Sequence, residues 1–301
     1  MTNLELFPDC AEKTFSYESS TGQVDISYLT GGSGPPLLLL HGFPQTKAIW
    51  HQVVPQLLAH FHVIIPDLRG YGHSSSVPSD ATHLAYSKRA MAEDQIALMT
   101  HLGYRTFSVC GHDRGGRVAH RLALDYPDAV ERLMVLDISP TYTMYEKTNK
   151  QFATDYWHWF FLIQPYPVPE TLINSNPEFW LQQHMDRAGG VSIFDPLCWR
   201  EYQASINNPA IVHAMCEDYR AAASIDLVHD QINLDENVKL TQPLRVLWGS
   251  KGIIETCFNP IADWKHFSHA EVDGRALHCG HYIPEEKPTE VVAEILSFFN
   301  Y

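Results

Sequence analysis

An aspartate framed by small residues is the first feature of the sequence that could do chemistry. Residues 111–116 read GHDRGG and lie between an apolar run, residues 106–110, and a helical stretch, residues 115–126. A strand, a tight turn and a helix in this order form a nucleophile elbow, which projects one side chain from a strained backbone. Glycines permit so sharp a turn. Serine usually holds the central position, but here it is Asp113.

The aspartate changes the chemistry that such an elbow can perform. A carboxylate with an ordinary pKa of about 3.9 is ionised at neutral pH. It can therefore displace a leaving group from saturated carbon without help from a base, which leaves an ester on the enzyme. Hydrolysis of that ester then requires a base that activates water. The alternative, a solvent-exposed capping Asp at a helix start, does not account for the small residues around Asp113.

His281 is the predicted base. It lies in residues 277–284, LHCGHYIP, directly before the last predicted helix. Elbow hydrolases carry nucleophile, acid and histidine in this chain order. His278 is the rival, but the Gly-His pair before the final helix favours His281.

The acid that orients this histidine has two usual places, after the sixth or after the seventh strand. After the seventh, Gly252 stands where an acid would be expected. After the sixth, Asp137 follows the apolar residues 132–136. We therefore predict that Asp137 fixes the imidazole tautomer and stabilises the imidazolium, with Glu255 as the fallback.

An oxyanion hole is predicted from the segment HGFP at residues 41–44. The loop after the third strand usually supplies one backbone N–H, and the residue after the nucleophile supplies the other. These are the Phe43 and Arg114 N–H groups, which would stabilise the tetrahedral oxyanion of ester hydrolysis. We also predict that the Phe43–Pro44 bond is cis.

Two arginines flank the predicted nucleophile. Arg114 and Arg117 are three residues apart at a helix start and can share one face. Guanidinium forks fit carboxylates bidentately, and both charges favour ionised Asp113. The pattern predicts an anionic substrate. The alternative is structural pairing, for example with Asp67 or Asp94.

The elements that must position these residues alternate between strand and helix. The five apolar runs are residues 36–40, 62–66, 106–110, 132–136 and 244–248, and the helical stretches are residues 89–102, 115–126 and 288–299. This order predicts an α/β fold with a mostly parallel, doubly wound sheet. Residues 142–228, rich in aromatics and proline, predict a helical cap that excludes water from the site. Residues 1–141 and 229–301 would form the core. Extra packing helices without function are the alternative for the cap.

Composition narrows the class of protein. Lys plus Arg is 21 and Asp plus Glu is 35, which gives a net charge of −14 and disfavours nucleic acid as a partner. The six cysteines form no CxxC pair, so a reducing compartment is expected. Neither a signal pattern nor a membrane-length apolar run is present. We predict a cytoplasmic protein that needs no membrane, metal or other cofactor.

The motifs together resemble those of fluoroacetate (haloacetate) dehalogenases in the α/β-hydrolase superfamily. HGFP, DLRGYGHS, GHDRGGRVAHR, LDISP, YWHWFF, WGSKG and CGHYIPEE carry the resemblance over nearly the whole chain. It implies that Asp113 is the nucleophile, His281 the base and Asp137 the acid, while Arg114 and Arg117 bind the substrate carboxylate. It also implies a homodimer and a halide site, whose residues would be His158, Trp159 and Tyr219.

Two other functions compete with this interpretation. An epoxide hydrolase shares the aspartate elbow and the HGFP loop, and cap tyrosines could protonate an epoxide oxygen. Arg114 disfavours it, because epoxides are uncharged. A receptor that binds a small ligand without turnover is disfavoured by the set of Asp113, His281 and Asp137.

Overall fold

Eight strands form one sheet in the computed structural model, which describes residues 5–186 and 190–299. The strands are β1 Ala11–Ser19, β2 Gly22–Gly32, β3 Pro36–Leu40, β4 His62–Pro66, β5 Phe107–His112, β6 Val130–Leu136, β7 Leu244–Gly249 and β8 Val272–Leu277. Their order is β1-β2-β4-β3-β5-β6-β7-β8. β2 runs antiparallel to β1 and β4, and all the other pairs are parallel. The predicted fold class is confirmed.

Burial explains why the central strands read as apolar runs. All six residues of β5 are buried, and so are four of the five in β3. Strands of a parallel sheet are covered on both faces and are therefore apolar throughout. The carboxyl ends of β3, β5, β6, β7 and β8 lie side by side. Four predicted site residues follow the ends of β3, β5, β6 and β8, namely Phe43, Asp113, Asp137 and His281.

Fifteen helices lie wholly within the described ranges. They are α1 Val54–Leu57, α2 Lys88–His101, α3 Arg114–Asp125, α4 Thr141–Glu146, α5 Lys150–Asp155, α6 Trp157–Leu162, α7 Val168–Ser175, α8 Pro177–Met185, α9 Pro196–Ile206, α10 Pro209–Ala222, α11 Ile225–Asp235, α12 Ile253–Cys257, α13 Pro260–His266, α14 Ile283–Glu286 and α15 Pro288–Phe299. Short 3-10 turns lie at Lys47–Trp50, Leu84–Tyr86 and Val191–Ile193. None of these helices is long and apolar enough to cross a membrane.

Helices α4 to α11 occupy the connection between β6 and β7. The ring of His158 on α6 stacks on that of Phe43 with centroids 6.1 Å apart, and Tyr156 meets His281 edge-on at 6.3 Å. This helical insertion therefore contacts the loops at the carboxyl end of the sheet. The predicted division at residues 228 and 229 falls inside α11, and a separate cap domain stays a prediction.

Candidate active site

The backbone at Asp113 has the geometry of an elbow. Asp113 joins β5 to α3 with φ 47° and ψ −115°, a conformation that is strained for a residue with a side chain. A Cβ on Gly115 would lie 2.3 Å from the His41 carbonyl oxygen, and one on Gly111 would lie 2.5 Å from the Gly115 carbonyl. The glycines of GHDRGG are therefore required by close backbone approach. Asp113 as a whole is only 3% exposed.

One predicted oxyanion-hole donor is in place. The Phe43 N–H donates to Asp113 Oδ1 at 3.0 Å. The Phe43–Pro44 bond is cis, as predicted. Arg114 is the first residue of α3, next to Asp113, and the role of its N–H stays a prediction. Because Phe43 holds Oδ1, Oδ2 is the oxygen left for attack.

His281 lies between the two carboxylates. Its Nδ1 is 2.6 Å from Asp137 Oδ2, and its Nε2 is 3.9 Å from Asp113 Oδ2. The Gly249 N–H donates to the other Asp137 oxygen at 2.8 Å. The longer distance exceeds a hydrogen bond, so Nε2 faces Asp113 across a gap. This arrangement suits a base that acts on a third group.

The rival residues lie elsewhere. Glu255 accepts a hydrogen bond from Trp248 Nε1. His278 is exposed, and its Nδ1 lies 3.5 Å from Ser250 Oγ. The structure thus brings Asp137, rather than Glu255, to His281.

His112 is a site residue that the sequence analysis missed. Its Nε2 donates to the His281 carbonyl oxygen at 2.7 Å. Burial lowers the pKa of His112 to about 3, and the charge of His281 adds to this effect. A neutral imidazole therefore anchors the loop that carries His281. The position of His112 directly before Asp113 was the available signal.

The charges around Asp113 keep it ionised. Burial alone would raise its pKa, but the charges of His281, Arg117 and Arg114 outweigh burial and lower the pKa below its usual value. A buried carboxylate with depressed pKa is a nucleophile that is ready at neutral pH.

Arg114 is held by a partner that the sequence did not predict. Its Nε and Nη2 donate to the two carboxylate oxygens of Asp218 at 3.0 and 2.6 Å, and Nη2 also reaches the Asp218 carbonyl at 2.8 Å. Nη1 is buried without a partner in the described part of the chain. The predicted bidentate use of Arg114 is therefore corrected: its fork faces Asp218, and only Nη1 is available to a ligand.

Arg117 is also buried and has one unused donor. Its Nη1 donates to the Ser139 carbonyl at 3.2 Å and to Thr141 Oγ1 at 2.9 Å, and Nη2 reaches Met144 Sδ at 3.1 Å. Its Nε has no partner within the described ranges.

The alternative acidic partners of the arginines pair elsewhere. Asp67 bonds Lys47 at 2.6 Å, and Asp94 bonds Arg69. Structural pairing with either aspartate does not explain Arg117.

The three predicted halide residues are brought together above the arginines. The guanidinium carbon of Arg114 lies 4.2 Å from the centre of the Tyr219 ring, and that of Arg117 lies 4.8 Å from the Trp159 ring. His158 lies 5.9 Å from Tyr219, and Trp159 lies 6.2 Å from it, between ring centroids. The Trp159 Nε1–H is buried without a partner among the described residues. The rings stack directly on the guanidinium groups, so the Trp159 N–H lies in the same buried cluster as Arg114 Nη1 and Arg117 Nε.

Tyr145 is a second residue that the sequence analysis missed. Its ring lies 5.1 Å from Trp159, and its buried hydroxyl has no partner in residues 5–186 and 190–299. The sequence offered no signal for it beyond one tyrosine in an aromatic-rich stretch.

A cavity of about 630 Å³ borders the other side of the site and is lined by His281, Tyr156 and Lys251 among others. His281 therefore borders this cavity.

Comparisons with known proteins concern the sequence and the fold as a whole. The family model of the α/β hydrolase fold matches residues 35–288. The fluoroacetate dehalogenase of a Burkholderia species is 41% identical over 93% of this chain and 91% of its own length. The soluble epoxide hydrolase of Corynebacterium sp. (strain C12) is 35% identical, covering 90% and 92%. A solved protein assigned as an α/β hydrolase, from Nostoc sp. PCC 7120, superposes with a TM-score of 0.91 at 47% identity, covering 96% and 98%.

Proposed function

The chain belongs to the α/β-hydrolase family. We propose that it hydrolyses a haloacetate to glycolate and halide, and that its natural substrate is fluoroacetate. One observation carries the proposal. Arg114 Nη1 and Arg117 Nε are buried guanidinium donors without partners in the described chain, and both charges act on the Asp113 carboxylate. Buried N–H groups that lack partners are costly, and a substrate carboxylate would satisfy them.

The first step is displacement at the halogen-bearing carbon. Asp113 Oδ2 attacks that carbon, its electron pair forms the new C–O bond, and the carbon–halogen bond breaks to release halide. The Trp159 N–H, with His158 and Tyr219 beside it, would donate to the departing halide. Donors aimed at charge that develops in the transition state accelerate a reaction.

The second step is hydrolysis of the glycolyl ester. His281 Nε2 takes a proton from water, and the oxygen attacks the carboxyl carbon of Asp113. The resulting oxyanion develops on Oδ1, where the Phe43 N–H already donates. Asp137 stabilises the imidazolium through Nδ1. Collapse breaks the bond from the carboxyl carbon to Oδ2, and the imidazolium proton passes to the departing alkoxide to give glycolate. The carboxyl group of Asp113 then loses one proton to solvent.

An epoxide hydrolase is the second candidate. It is supported by the Corynebacterium relative and by the buried, unsatisfied Tyr145 hydroxyl, an acid that could protonate an epoxide oxygen. It leaves both arginine donors without a role.

Assays of one purified protein separate the two functions. We expect fluoride and glycolate to appear in equal amounts from fluoroacetate, and little diol from a neutral epoxide such as styrene oxide. Rapid epoxide opening without halide release from fluoroacetate, chloroacetate or bromoacetate would overturn the dehalogenase. Asp113→Asn is the matched control, since both activities need the nucleophile.

A further inference from the structure

A second cluster of reactive side chains lies outside the site described above. His51, Cys198 and Glu285 each offer one donor atom, and these atoms lie within 4.8 Å of one another. His51 Nδ1 and Cys198 Sγ are 3.2 Å apart. A tetrahedral zinc ion places nitrogen, sulfur and oxygen donors roughly 3.3–3.6 Å apart. Because every pair of donor atoms lies within 4.8 Å, the carboxylate oxygen would move inward by at most about 1.5 Å to match that geometry.

The surroundings of the cluster are short of positive charge. Cys198 is fully buried and Glu285 is 5% exposed. Glu285 receives hydrogen bonds from neutral groups, Gln45 Nε2 and the Tyr202 hydroxyl, and the nearby charges of Glu286 and Asp195 are negative. A divalent cation bound by a thiolate, a carboxylate and a neutral imidazole gives a net charge of zero. Such a centre can be buried without an unpaired charge.

The neighbouring side chains also suit a cation. Gln45 Oε1 is a buried oxygen without a partner in the described part of the chain, on the amide that bonds Glu285. In a tetrahedral site the fourth ligand would be this oxygen after rotation of the amide, or a water molecule. His51 is only partly buried and provides a route from solvent.

We propose that His51 Nδ1, Cys198 Sγ and a Glu285 carboxylate oxygen bind one thiophilic divalent cation of the Zn²⁺ class. Binding exchanges the thiol proton and the carboxyl proton for the ion and involves no redox change. The proton with which His51 Nδ1 bonds the Ala48 carbonyl at 3.1 Å moves to Nε2, which frees the Nδ1 lone pair. The softness of the thiolate favours Zn²⁺ over Mg²⁺ or Ca²⁺. The sequence carries no short-spaced ligand motif for this site, because three distant segments supply it.

The location gives the ion a structural role that is independent of the reaction proposed above. Cys198 lies on α9 of the insertion, Glu285 lies on α14 just after His281, and His51 ends the 3-10 turn that follows the Phe43 loop. A bound ion joins the insertion to both catalytic loops. Ligands that bind only the folded state raise its stability.

Metal titration of the whole chain tests the site. Stripped protein is titrated with Zn²⁺ against a chromophoric chelator, and with Co²⁺ to record thiolate-to-cobalt absorption. We expect one ion per chain, the thiolate band, and a higher unfolding temperature. Cys198→Ser and His51→Gln should each weaken Zn²⁺ binding by about tenfold or more, and Cys198→Ser should remove the band.

Two control variants test whether the loss of Zn²⁺ binding is specific to the cluster. Cys257→Ser changes a less buried cysteine outside the cluster, and His278→Gln changes an exposed histidine. Both should bind Zn²⁺ like the wild type. Absence of stoichiometric binding, or binding that survives both Cys198→Ser and His51→Gln, overturns the proposal. If Cys198→Ser does not fold, the partly exposed His51→Gln decides the outcome.

Discussion

At the scale of single residues, the two arginines differ in how they are anchored. Asp218 holds the fork of Arg114, whereas backbone and hydroxyl oxygens hold one end of Arg117. Neither side chain can turn both ends toward a substrate. Each guanidinium therefore presents one N–H edge to a substrate. A substrate carboxylate would be bound by Arg114 and Arg117 together rather than by both ends of one guanidinium.

Replacing Arg117 should show whether it binds the substrate carboxylate. Arg117→Lys removes the planar Nε donor and the stacking on Trp159. A hydrogen bond to a charged group is worth about 1.5–3 kcal/mol, so kcat/KM for chloroacetate should fall roughly 10- to 100-fold. Neutral chloroacetamide is the control and should lose much less. Equal losses on both substrates would show that Arg117 only supports the fold.

The halide donors should discriminate between halogens. Fluoride concentrates charge on a small atom, so its departure depends most on donors aimed at it. Trp159→Phe keeps an aromatic ring at this position and removes the buried indole N–H that lacks a partner in the described part of the chain. We expect a loss of about 2–4 kcal/mol for fluoroacetate and a smaller loss for chloroacetate, measured as kcat/KM. Similar losses on the two substrates would mean that Trp159 merely shapes the insertion.

Local motifs sufficed to select Asp113, Asp137 and His281, which the structure brings together, whereas the partners of the arginines depended on the fold. Asp113, Asp137 and His281 follow strand ends or precede a helix, positions that a single sequence reveals. Asp218 lies 104 residues from Arg114, on a helix of the insertion. No local pattern connects residues so far apart, and the free edges of Arg114 and Arg117 could be assigned only in the structure.

At the scale of elements, burial decided which strands could be predicted. β3 and β5 are covered on both faces and read as apolar runs. β1 is mostly exposed and β8 has two exposed residues at its centre, so neither shows a clear hydrophobic pattern. The edges of the sheet are therefore visible only once their neighbours are in place.

The contact between α3 and β3 gives a test of the elbow. Gly115→Ala would place a Cβ 2.3 Å from the His41 carbonyl oxygen and 2.6 Å from Leu40. Overpacking of this kind costs about 1–3 kcal/mol, so unfolding should occur at lower denaturant, with reduced turnover as Asp113 shifts. Gly252→Ala is the control, because its nearest atom would be 3.3 Å away and its φ is −94°. If both variants unfold at the same denaturant concentration, the close packing at Gly115 does not contribute to stability.

At the scale of the whole molecule, the net charge of −14 opposes the proposed substrate. An anion is repelled at long range, and salt screens exposed charges more strongly than buried ones. We expect kcat/KM for chloroacetate to rise as NaCl increases from low concentration, while chloroacetamide stays nearly constant. A steep fall for chloroacetate alone would indicate that exposed cations guide the substrate to the site.

The central claim is that the Asp113 carboxylate forms an ester with the substrate, and that water activated by His281 later hydrolyses this ester. His281→Asn removes the base but leaves Asp113 beside Arg114 and Arg117, so displacement should proceed and hydrolysis should stop. Asp113→Asn provides the control without a nucleophile.

The most direct measurement is peptide mass spectrometry of His281→Asn protein after incubation with fluoroacetate. The account predicts a glycolyl adduct on the peptide that contains Asp113, with one halide ion released per chain, and no adduct in Asp113→Asn. Steady turnover by His281→Asn with an unmodified Asp113, or an adduct on another residue, would contradict it.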